Sequence, residues 1–106
     1  MPQFSVHRNR NAATRGRFPL LLDVQTDLLD GLGTRVVIPM TPATAVARRM
    51  AMATLNPVLS VEEKDYVLIT GQLAGIANRE LGPPVADLSS QRATIIAALD
   101  LLFTGI

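Results

Sequence analysis

Cysteine is absent, and that absence excludes disulfide bridges and thiolate metal sites while permitting a reducing compartment. With a single histidine, the chain also lacks the ligand set of a zinc centre. There is no tryptophan and aromatics make up only 4%, so a chain that is 48% hydrophobic must build its core from aliphatic side chains. Charge is sparse at 18%, and a net charge of +1 does not make the domain-scale basic patch that bulk nucleic-acid binding requires. No run approaches the roughly 20 apolar residues of a membrane span, and the N-terminus lacks the apolar stretch of a signal peptide. The expectation is one cytoplasmic domain over residues 1–106, with no metal, no cofactor and no membrane partner.

Chemistry is equally thin. His7 has no carboxylate or nucleophile at a spacing that would make it a general base, and a lone His on an alternating strand is expected to face solvent. Glu62, Glu63 and Asp65 in "EEKD" read as a solvated turn rather than paired catalytic carboxylates. No phosphate-cradling glycine loop is present. Gly31 and Gly33 read as turn formers.

The first half has the texture of strands. In "QFSVHR", Phe4 and Val6 alternate with Ser5 and His7. Phe18, Leu20, Leu22 and Val24 fall on one face of "FPLLLDVQ", as do Val36, Ile38 and Met40 of "RVVIPM". Pro19 and Pro39 remove ladder donors and suggest edges or bulges. Between these strands, "TDLLDGLG" places Leu28 and Leu29 in a turn-rich stretch where side chains usually meet water.

Further along, Ala, Met and Arg in "TPATAVARRMAMATL" favour helix by propensity. "VLSV" and "YVLIT" read as short strands around the "EEKD" turn. "GQLAGIANREL" fits either type, with "GPP" closing it. From Ser89 or Ser90 as N-cap, the last segment projects as an amphipathic helix of about four turns. Arg92, Ile95, Ile96, Leu99, Leu102 and Phe103 share its broad side. Ala93, Ala97, Asp100 and Thr104 form a stripe of mostly small residues opposite, open to close approach by another surface. Asp100 and the terminal carboxylate sit at the negative end of the helix dipole, an arrangement that a cationic partner group would offset. The apolar segment runs to Ile106, and from the residues alone this face reads either as a solvated helix face or as a contact for a cationic partner.

Four motifs, "QFSV", "LLDVQTDLLD" at 21–30, "TRVVIPM" at 34–40 and "VADLS" at 85–89 leading into "LLFTGI", together resemble the CcdB family of bacterial toxins across nearly the whole chain. The resemblance implies an α+β fold: an SH3-like antiparallel β-barrel or sheet, a small β wing and one C-terminal α-helix. On that fold the segment after Pro42 moves toward wing and loop. It further implies a homodimer that binds the A subunit of DNA gyrase, traps the enzyme on cleaved DNA without catalysis, and is neutralised by a CcdA-like antitoxin whose disordered segment folds on the toxin. Carried over residue by residue, the gyrase contacts fall on Leu28 and Leu29, on Arg92, Ala93, Ile96, Ala97 and Asp100, and on Thr104, Gly105 and Ile106. Where the best-known plasmid-borne members have Trp before the final Gly-Ile, this chain has Thr104. Two alternatives stand beside this one: a MazF-like ribonuclease using the cluster Arg8, Arg10, Arg15 and Arg17, and a chromosomal homologue with weakened or lost poisoning.

Overall fold

The computed structural model describes residues 2–105. Alternation in "QFSVHRN" builds β1 (Ser5–Asn9), flanked by two antiparallel neighbours, β2 (Leu20–Asp23) and β7 (Leu81–Asp87). β2 continues the ladder to β3 (Thr34–Pro42), with Leu22 opposite Ile38 and Leu20 opposite Met40. β3 then serves two partners on its other side. Its first residues pair with β6 (Ala74–Ala77) and its last with β5 (Lys64–Leu68), which forms a hairpin with β4 (Val58–Val61). The order is β4-β5-β3-β2-β1-β7, with β6 beside β3.

That order explains Pro39. A strand residue points its N–H and C=O to the same side, and the Pro39 carbonyl accepts from Ile69 N–H (3.0 Å) on the β5 side. The missing donor therefore falls where β3 passes from β6 to β5, so the proline marks this handover rather than a sheet edge.

Inward residues of distant strands meet in one cluster. Val6, Leu20, Leu22, Ile38 and Met40 pack with Leu59 and Val61 of β4, closed by Phe4, Leu88 and Ile95. Since β4 and β1 are separated by three strands, sharing a core requires the sheet to curl into a half-barrel, giving an α+β, SH3-like fold in which the β4–β5 hairpin is continuous with the main sheet and core and no separate wing sheet forms among the described residues. Glu62 and Glu63 form the hairpin's two-residue turn, both with positive φ (51° and 66°), as a primed turn demands.

The outer face is not the solvent face that alternation predicts. Leu21, Val37 and Leu81 form a second cluster there, and Ser5, His7, Asn9, Asp23, Gln25 and Arg35 are buried with it. His7 is 2% exposed: Nδ1 donates to the Gly82 carbonyl (3.0 Å) and Nε2 shares a hydrogen bond with Ser5 Oγ (2.9 Å). The strand crossing in front of it is β7, which carries "GPP" in its interior rather than ending there. At Gly82 a Cβ would lie 2.7 Å from the Arg8 carbonyl oxygen, so only glycine allows this approach. Among the described residues β7 pairs with β1 alone, and Pro83 and Pro84 withhold donors that its ladder would otherwise present.

The helix favoured by propensity after Pro42 is a single turn, α1 (Ala45–Arg48), capped by Thr44 Oγ1 on Ala47 N–H (3.1 Å). Only Ala47 of that turn is buried. Without an apolar stripe to bury, propensity does not extend it. Asn56 instead captures the chain: its side chain donates to the Met50 carbonyl and accepts from Thr70 N–H. "GQLAGIANREL" resolves into short 3₁₀ turns on either side of β6.

The closing helix, α2 (Arg92–Thr104), follows a 3₁₀ turn at Ser89–Gln91. Neither serine caps it. Asp87 Oδ1 accepts from Ser89 N–H (2.8 Å) and orders the entry turn instead. Ile95 and Ala98 are fully buried, with Ile96 and Leu99 packed against the core. Phe103, projected on the packed side, is 67% exposed, although Leu101 and Leu102 of the same turn are half-buried. Among the described residues, no helix is long and apolar enough to cross a membrane.

Candidate partner-binding surface

The turn between β2 and β3 is a 3₁₀ turn at Asp27–Leu29 with no buried residue. Leu28 is 92% exposed and Leu29 50%. An apolar side chain held out this way needs its backbone secured by something other than burial, and the polar letters of "DVQTDLLD" supply it. Thr26 Oγ1 accepts from Leu28 N–H (3.3 Å). Gln25 Nε2 donates to the Leu29 carbonyl (3.1 Å), while its Oε1 accepts from Val36 N–H on β3 (3.1 Å). Asp27 Oδ1 accepts from Gln3 N–H (2.8 Å).

Beneath the turn lies Arg35, a residue sequence reasoning passed over. Its guanidinium is fully buried, with Nε on Asp23 Oδ2 (2.8 Å) and Nη1 on Asp30 Oδ1 (2.9 Å). Nη2 donates to the Gln25 carbonyl (3.3 Å) and lies 3.7 Å from Asp27 Oδ1. Asp23 is itself fully buried, and its Oδ1 accepts from Gln25 N–H (3.0 Å). The available signal was the spacing of three aspartates, at 23, 27 and 30, ahead of one arginine at 35.

Gln3 and Phe4 connect this turn to α2. While Gln3 holds Asp27, the buried Phe4 ring lies under the Arg92 guanidinium (5.6 Å to its centroid). Arg92, projected on the packed side of the helix, is thus exposed and stacked at its start. Ala93 is exposed beside it, and Ile96 and Ala97 are half-buried. Asp100 and Thr104 are exposed, lying about 12 and 18 Å along the helix from Arg92 at 1.5 Å per residue. Gln3 and Phe4 thus link the turn to the start of the helix, and the helix end lies further along the axis.

At that end Thr104 Oγ1 donates to the Asp100 carbonyl (2.7 Å), and Gly105 N–H donates to the Leu101 carbonyl (3.1 Å). Gly105 adopts φ 77°, the left-handed cap that glycine takes without strain. No basic residue lies in the last helical turn. Ile106 lies outside the described residues. At the helix entry, the Ser89 backbone N–H and then its hydroxyl hold the Asp87 carboxyl below its ordinary pKa.

The arginines near the N-terminus do not gather around a base. Arg17 stacks on Phe18 (5.1 Å), Arg8 faces Glu62 (3.9 Å), and His7 is closed off from solvent. Among the described residues, no group of three or more His, Asp or Glu is placed to hold a metal ion. The family model described as "CcdB protein" matches residues 3–105.

Proposed function

The chain belongs to the CcdB family, the toxins of toxin–antitoxin modules, and we propose that it acts by binding the A subunit of DNA gyrase and trapping the enzyme on DNA it has cut. The observation that carries this reading is Leu28 standing 92% exposed on a turn whose backbone is pinned by Gln25 and Thr26. Burying a leucine side chain at an interface contributes roughly 1.5–3 kcal/mol, and a pinned turn spends little of that on ordering. Arg92, Ala93, Ile96, Ala97 and Asp100 extend the contact along α2, with the small residues permitting close approach. Thr104, Gly105 and Ile106 form its far end. There the Thr104 hydroxyl is taken up by the helix, and the exposed Phe103 supplies the aromatic surface.

In this reading the toxin forms no covalent bond. It works in the cytoplasm as a homodimer of single 1–106 domains and is neutralised by a cognate CcdA-like antitoxin. The test mixes purified protein with gyrase, supercoiled DNA and ATP, quenches with detergent, and measures linear DNA. Accumulation that is lost in Leu28→Ala/Leu29→Ala supports the proposal; no accumulation at micromolar protein overturns it.

A further inference from the structure

We propose that Arg35 is a positioning residue for this surface: acting through Asp27 and Asp30, it locks the turn that presents Leu28 and Leu29. The inference rests on the reading that this turn meets gyrase. The two aspartates bracket the leucines, one immediately before and one immediately after, and both face the same buried guanidinium. Burial cannot order the turn, since none of Asp27–Leu29 is buried. The Asp27 and Asp30 side chains are 62% and 59% exposed, so each reaches the buried guanidinium from the solvent side and keeps much of its hydration. What they define is the pose of the turn. Arg35 is anchored in the interior by Asp23 and the Gln25 carbonyl, so its remaining donors are aimed outward from a fixed point. The planar fork reaches three carboxylates at once, a geometry that a lysine ammonium does not reproduce.

A surface preorganised this way avoids the cost of ordering its loop at the moment of binding. Asp30 is the residue at which this role separates from folding, being half-exposed and outside the core clusters.

The experiment places Asp30→Asn in the full chain, alone and together with Leu28→Ala/Leu29→Ala, and measures affinity for the gyrase A subunit. Amide order parameters of residues 28 and 29 are recorded in the Asp30→Asn single variant and its parent. Asp30→Asn should weaken binding about tenfold in the parent and less than about twofold where the leucines are already gone. Its order parameters at the two leucines should fall from about 0.85 to below about 0.6, while Tm stays within about 3 °C. Parent-like binding by Asp30→Asn, or an equal loss in both backgrounds, overturns the proposal. Unchanged order parameters in a protein whose leucines do bind gyrase overturn it alone. Parent-like binding by Leu28→Ala/Leu29→Ala overturns the gyrase reading and the proposal with it, even where the order parameters fall.

Discussion

Replacing Arg35 by Met should be among the most damaging single changes in this protein, and the reason is Asp23. The two side chains are each 0% exposed and meet at 2.8 Å, Nε to Oδ2. Methionine fills much of the arginine volume, so the cavity contribution is small. The Asp23 carboxylate, however, would be left in the interior, where among the described residues Gln25 N–H is its remaining hydrogen-bond donor. Breaking a buried pair by removing one partner costs about 3–5 kcal/mol, since the remaining charge stays desolvated. For a domain of this size, 1 kcal/mol moves Tm by about 4–8 °C, so the variant should melt at least about 12 °C lower. Urea unfolding followed by circular dichroism should show a lower midpoint with an unchanged m-value. Asp23→Asn in the same chain removes the stranded charge, and the double variant should recover about 2 kcal/mol relative to the sum of the single costs. A loss below about 1 kcal/mol for Arg35→Met, or strict additivity in the double variant, would refute the reasoning.

Three further outcomes follow from local geometry. Gly82→Ala drives a methyl to 2.7 Å from the Arg8 carbonyl and should cost about 2 kcal/mol or more in denaturant unfolding; a neutral result would mean that β1 and β7 part easily. Glu62→Asn/Glu63→Gly gives the β4–β5 turn residues that accept positive φ and should raise stability by about 1 kcal/mol, even though it dissolves the exposed 3.9 Å pair with Arg8. Asp87 has its carboxyl pKa depressed on folding, so its stabilising contribution is present above about pH 4 and is lost as pH falls through the folded value. The urea midpoint of the parent should therefore drop more steeply on acidification than that of Asp87→Asn, and parallel profiles would contradict the role given to Ser89.

Period-two spacing located Leu20, Leu22, Ile38 and Met40 correctly because each alternation reports which residues can share an apolar face, and all four enter the main cluster. The turn at Glu62 and Glu63 and the helix leading to Thr104 were legible for the same local reason. Alternation says nothing about whether the opposite face is also covered. His7 is buried against a carbonyl 75 residues away, and Arg35 has ion-pair partners 5, 8 and 12 residues earlier. Propensity misled after Pro42 because a helix with one buried side chain has little packing to hold it. Phe103 was misplaced because it lies about 80° around the helix from the buried Ile95, at the margin of the side that the projection grouped together.

The candidate surface divides along the same line. Two leucines in a turn, and a stripe of small residues along a helix, were visible as oddities of composition and spacing. That Gln3 and Phe4 link the turn to the start of the helix was not. Sequence by itself determined the aliphatic core positions of β2 and β3, the strands β1 to β5 and the exposure of Leu28, since these depend on neighbours within a few residues, whereas β6 was left open and β7 went unread. Only the tertiary structure decided which polar residues are buried and what holds the leucine turn, because a guanidinium chooses its partners from whatever the folded chain brings within 4 Å.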